Sequence, residues 1–206
     1  MSESSPSKQS SLVTLGVIFG GFVLFSLLNT PSTAIVQNPQ PAMVVEAAAT
    51  TTPLEAGLPA ELIIPAIEVD AKIEPLGLST TALNEMAVPG NVVDVGWYKY
   101  GPHPGMRGSA VIDGHLNGRN VPEGVFFKLD TLNVNDSVFV VDETGKKIEF
   151  IVLKVKTYRA DESTEEVFSQ STDDSLLNLI TCAGTWISSE SQYENRTVVF
   201  TKRVVQ

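Results

Sequence analysis

Hydrophobic positions follow two unlike patterns along this chain. From Leu12 to Leu28 the sequence LVTLGVIFGGFVLFSLL runs 17 residues without a charge. As a helix it would span roughly 26 Å, the short end of a bilayer crossing. A core helix would show one polar face, whereas this segment is apolar all round. It therefore predicts a transmembrane anchor over 12–28, with residues 1–11 as a cytoplasmic tail. Lys8 precedes the segment and the next basic residue is Lys72, so the positive-inside tendency places the rest of the chain outside the cell. Ser32-Thr33-Ala34 resembles a small-residue cleavage site, and a cleaved signal peptide is the alternative. Residues 29–58 carry Pro31, Pro39, Pro41 and Pro53 with short Ala and Thr runs. They show no sustained periodicity and read as a flexible spacer.

From residue 59 onward the pattern changes to short alternations. Glu61 to Ile64 is a brief apolar strand stopped by Pro65, and Ala71 to Leu76 is another. Gly108 to Asp113 is a small-to-apolar run suited to a buried strand. Ser137 to Val141 and Lys146 to Val155 flank Asp142-Glu143-Thr144-Gly145, a hairpin turn. Leu176 to Cys182 and Thr197 to Val205 complete the strands. Helical signals are poor, with short turns expected at Val125–Leu132 and Glu162–Phe168. The pattern predicts one mainly β domain over 59–206, a closed or nearly closed barrel with short helices between strands.

Composition narrows the function. Fourteen basic against 24 acidic residues give a formal charge of −10, and no basic stripe appears. Nucleic acid is therefore not an expected partner, since such binders need a cationic face. A single cysteine excludes a disulfide within the chain. With only two histidines, His103 and His115, no metal site and no cofactor is expected.

That scarcity allows each reactive residue to be weighed alone. Cys182 falls where an apolar strand meets Gly184, the kind of strand end where side chains become accessible. A free cysteine is often a small buried hydrophobe, but an unpaired exported thiol risks oxidation and is usually absent unless used. His115 follows an apolar strand directly, so thiol and imidazole could converge at one barrel rim. Nucleophilic catalysis needs that pairing: a thiolate beside a group that later donates a proton. Arg196 opens the last strand, 14 residues after Cys182. A return strand would set it beside the cysteine, to lower the thiol pKa or hold an oxyanion. Read alone, Arg196 is a surface cation at a strand end. His103 lies in a proline-rich turn and reads as structural.

Leu179-Ile180-Thr181-Cys182, Gly114-His115 after an apolar strand, and Arg196 opening the final strand together resemble the signatures of the sortase family. Pro89 to Tyr98 with Gly101-Pro102-His103-Pro104-Gly105, and Ile64 to Asp70, resemble segments of class E and class F sortases. The resemblance covers about 59–204, in the right order. It departs at Cys182-Ala183-Gly184 and Glu194-Asn195-Arg196, where class F members often carry Gly-Gly and an aspartate. It implies an eight-stranded sortase barrel behind an N-terminal anchor. It also implies cleavage of a Leu-Pro-x-Thr-Gly-like sorting signal through a thioacyl-enzyme, then transfer to an amine on the cell wall or a pilin-like protein. Cys182 would be the nucleophile, His115 the acid/base and Arg196 the oxyanion stabiliser. Thr181 and Ala183 would contact substrate. The acidic set Glu162, Glu165, Glu166, Asp173 and Asp174 reads as a solvated loop, or as a bias toward basic substrates. Two other functions stay open: a same-fold hydrolase, and an exported β-barrel binding module with Cys182 merely buried. A papain-like protease does not fit, because there the cysteine lies on a helix ahead of the histidine.

Overall fold

The computed structural model describes residues 57–81 and 85–205. The expected anchor at 12–28, and the spacer up to residue 56, lie outside them. No helix among the described residues is long and apolar enough to cross a membrane.

Eight strands close into a barrel. They are β1 (Pro59–Ile64), β2 (Val69–Leu76), β3 (Val95–Tyr98), β4 (Gly108–Gly114), β5 (Ser137–Asp142), β6 (Lys147–Arg159), β7 (Ser175–Ile187) and β8 (Gln192–Arg203). Round the barrel the order is β1-β2-β3-β4-β7-β8-β6-β5, with β5 pairing back to β1. Two neighbours are parallel, β2 with β3 and β4 with β7, so each needs a crossover in place of a hairpin. Those crossovers bring Met86, between β2 and β3, and Val167 and Phe168, between β4 and β7, against one outer face.

Alternation along β4 sorts its side chains between two cores. Ala110 and Ile112 join the interior cluster with Leu62, Ile64, Trp97, Phe126, Phe150, Leu177 and Leu179. Val111 points the other way, into an outer cluster with Tyr158, Val167, Val198 and Phe200, against which Met86, Phe168 and Ile180 pack. Val167 belongs to the β6–β7 loop. The buried Asn178 amide holds that loop down by donating to the Val167 carbonyl at 2.6 Å. The loop is thus part of the fold, and it roofs the outer face of β4 and β7.

Seven strands match the alternation in the sequence; β3 is the eighth. It has only four residues, Val95-Gly96-Trp97-Tyr98, too few for a periodic signal. Its Trp97 is nonetheless among the largest fully buried side chains and donates Nε1–H to the Pro102 carbonyl at 3.1 Å. The expected turn at 142–145 forms, with Gly145 at φ 83° and its N–H on the Asp142 carbonyl. The expected short helices shrink. Within 125–132 there is a 3-10 turn at Leu129–Thr131, and 162–168 closes only as hydrogen-bonded turns on the Thr164 carbonyl. Phe126, Leu129 and Val167 are held there by burial rather than by helical repetition.

Gly114 ends β4 at a tightly packed point of the interior. A Cβ at that position would stand 2.5 Å from the Phe126 ring, closer than any relaxed contact allows. Gly114→Ala is therefore expected to destabilise the chain by about 1–3 kcal/mol through overpacking, read by urea unfolding. An unchanged midpoint would show that Phe126 yields freely and that β4 is not fixed from inside.

Candidate active site

The site is built on one rung of the sheet. In the β7–β8 register Cys182 faces Arg196, and two residues back along β7 Ile180 faces Val198. In the parallel β4–β7 register Asp113 pairs with Ile180. Two residues further along each strand stand His115 and Cys182. Alternation then puts Asp113, His115, Ile180, Cys182, Arg196 and Val198 on the same outer face. A cavity of about 270 Å³ lies over that face, and Asp113, His115, Ile180, Cys182 and Arg196 all line it. Loop residues complete the walls: Met86 and Val88 from one side, Ala160, Thr164 and Phe168 from the other.

Cys182 does not sit at a strand end, as the sequence suggests. β7 continues to Ile187, and the pairing with β8 slips between Ala183 and Trp186. Gly184 takes φ 77° at this bulge, a left-handed conformation natural to glycine. The bulge twists the strand just beyond the thiol while leaving the Cys182–Arg196 pair in register.

The polar partners fix each side chain differently. His115 Nε2 lies 2.9 Å from the Pro89 carbonyl. A carbonyl only accepts, so Nε2 carries the proton in this contact and Nδ1 is left for exchange. Arg196 Nη1 donates to the Tyr193 and Asn195 carbonyls at 3.1 and 3.0 Å. No ion pair engages this guanidinium among the described residues. Thr181 is buried, and its hydroxyl donates to the Gly114 carbonyl at 2.7 Å. It therefore ties β7 to the end of β4, and its hydroxyl is already engaged. Thr181 and Ala183 also border a smaller depression of about 90 Å³ with Leu116, Phe126 and Gly184. His103 is elsewhere, edge-on to Trp97 at 4.7 Å.

The electrostatics are opposed. Burial pushes the Cys182 thiol above its usual range; Arg196 pulls it back down, and Asp113 pushes it up. Asp113 itself is raised to about 6, chiefly by burial, with His115, the Gly114 N–H and Arg196 acting against the rise. Asp113 escaped the reading of the sequence for chemistry. Its signal was available: it stands two residues before His115 on a strand, and period two places both on one face. The acidic loop is less uniform than it looked. Glu166 pairs with Lys154 and Lys156 and accepts from the Tyr158 hydroxyl at 2.6 Å, which holds it down at about 2. Asp173 pairs with Arg107, and Asp174 with Lys202.

The comparisons with known proteins agree with this architecture. The family model described as the sortase domain matches residues 62–204. Among solved structures the chain is similar to sortase C-1 from Actinomyces oris, at 22% identity and TM-score 0.54, over 71% of this chain and 74% of that one. A lid mutant of sortase A from Corynebacterium diphtheriae shows 20% identity and TM-score 0.55, over 75% of each chain. The Clostridium perfringens sortase D5 transpeptidase shows 20% and 0.53, over 71% and 79%. No curated protein sequence matches. A β-barrel closed in this order and a family match over most of its length place the chain in the sortase family, whose members are cysteine transpeptidases.

Asp113 has a testable cost. A carboxyl raised in the folded state destabilises the fold once it ionises: the cost is absent below the unfolded value of about 3.9 and complete above about pH 6. A shift of this size corresponds to about 3 kcal/mol at most. Asp113→Asn is expected to raise the urea midpoint at pH 8 and to lose that gain at pH 4. Equal gains at both pH values would show that ionisation of Asp113 is not what costs stability.

Proposed function

We propose that this sortase is held at the cell membrane by residues 12–28, works outside the cell, and transfers proteins bearing a Leu-Pro-x-Thr-Gly-like sorting signal to a surface amine. The observation that carries the reading is the opposition of Cys182 and Arg196 across β7 and β8, with His115 on the same cavity. The resemblance of residues 64–70 and 89–105 to class E and class F members suggests where it falls within the family. The uncharged run at 12–28 and the lone basic residue before it support the location.

In this reading the Cys182 thiolate attacks the threonine carbonyl carbon, and the C=O electron pair moves onto oxygen. The Arg196 guanidinium holds that oxyanion. As the tetrahedral intermediate collapses, the C–N bond breaks and protonated His115 gives its Nδ1 proton to the leaving glycine amine. A thioester to Cys182 remains. The incoming amine attacks the same carbonyl and gives a proton to His115, and Cys182 leaves as thiolate. The high thiol pKa means that only a minor fraction is thiolate at neutral pH, so Arg196 serves both the nucleophile and the oxyanion.

Two substitutions separate these roles. Cys182→Ala removes one sulfur and should abolish turnover while the fold survives; retained activity would sink the nucleophile assignment. Arg196→Lys should lower kcat by about a hundredfold or more, since a point charge cannot reproduce the planar fork. Near-normal rates would exclude an oxyanion role. The reaction is tested by incubating the chain with a Leu-Pro-x-Thr-Gly peptide library, with and without triglycine, read by mass spectrometry. A thioacyl adduct on Cys182 and a triglycine-ligated product are expected. Free acid alone, even with triglycine present, would mark a hydrolase.

A further inference from the structure

The cavity over Cys182 is more acidic than a thiol, an imidazole and a guanidinium require. Glu85, Asp113 and Glu162 line it together with one permanent cation, Arg196. Elsewhere on the β6–β7 loop four acids are matched and Glu165 is not, among the described residues: Asp161 pairs with Arg159, Glu166 with two lysines, Asp173 with Arg107 and Asp174 with Lys202. None of the three cavity carboxylates forms an ion pair among the described residues. Glu162 accepts a long backbone contact from Arg159 N–H, at 3.4 Å, and acts on the Arg159 and Lys156 charges without pairing with either. Three carboxylates without an ion pair thus face one cavity.

Asp113 sits deepest. It pairs with Ile180 on β7, two residues from Cys182, and shares its strand face with Val111. Met86 and Phe168 wall the same region. A half-buried carboxylate bordered by hydrocarbon is complementary to a long-stemmed cation. The stem of a lysine or arginine would lie along the apolar walls while its head met the carboxylate.

The position of Asp113 also indicates which substrate brings the cation. The leaving and incoming amines must both reach His115, and therefore exchange at the Cys182 rung. With the scissile carbonyl on Cys182, the acyl side of the donor peptide is left the rest of the cavity, over Asp113 and Ile180 and between the two loops. This step rests on the transpeptidase reading above.

We propose that Asp113, with Glu85 and Glu162 at the rim, is a specificity-determining residue that selects donor peptides carrying a lysine or arginine on the acyl side of the scissile bond.

The test measures kcat/KM for cleavage by the full chain on peptides in which each residue upstream of the Thr-Gly bond is in turn lysine, glutamine or glutamate. At one position lysine should exceed glutamine by about tenfold or more, the scale of a charge-assisted contact. Asp113→Asn should shrink that ratio to within about twofold, Asp113→Glu should keep most of it, and Asp113→Lys should turn the preference toward glutamate. No charge preference in the wild type would overturn the proposal, as would a ratio unchanged in Asp113→Asn. A rise in the KM for triglycine with the peptide ratio intact would overturn it too, by assigning Asp113 to the acceptor. Thioacyl formation without charge preference refutes this proposal alone. Absence of any adduct across the whole set refutes the transpeptidase reading with it.

Discussion

The hydrogen-bonded register between β7 and its two neighbours is the constraint on which the rest depends. β8 sets Arg196 against Cys182, and β4 sets Asp113 against Ile180. A slip of one residue in either ladder would turn the thiol to the interior or carry the guanidinium to the other face. Barrel closure resists such a slip, because β7 lies between β4 and β8 and no edge is free. The interior adds its own lock. Thr181 reaches the Gly114 carbonyl, and Gly114 has no room for a side chain beside Phe126. Cys182 and His115 each follow one of these locked residues.

Outside the barrel the physics is that of charges in a partly buried groove. The outer apolar cluster and the loop pinned by Asn178 cover the outer face of β4 and β7. Burial raises both the Cys182 thiol and the Asp113 carboxyl, and Arg196 opposes both rises. A groove of this kind loses stability by holding charge, and functional sites commonly accept such a loss. In the proposed mechanism the same burial lets one guanidinium act on a sulfur and on a developing oxyanion with little screening.

Much of this was legible in the chain. Alternation located seven strands, and the one cysteine, the histidine after a strand and Arg196 came together as a return strand predicted, although β8 starts at Gln192 and Arg196 lies within it rather than opening it. β3 was not legible, since four residues beside Gly-Pro turns carry no period. Cys182 looked like a strand end because Gly184 follows so soon. In a closed barrel a glycine at positive φ can mark a bulge as well as a stop, and the sequence does not distinguish them. Glu162–Phe168 looked like a helical turn, but contacts distant in sequence, to Asn178 and to the outer cluster, decide that loop. Asp113 was visible as a residue but not as a cavity wall, because its significance lies in what the two loops cover.

Strand register sets Arg196 opposite Cys182, where its charge acts on the thiol, and everything proposed for the site depends on that placement. The most direct measurement is the rate of Cys182 alkylation by iodoacetamide as a function of pH, in the wild type and in Arg196→Ala. The wild-type profile should have its midpoint above that of an ordinary thiol, and Arg196→Ala should move it higher still. Superimposable profiles would contradict this placement, because they would mean that the guanidinium does not act on the thiolate it faces.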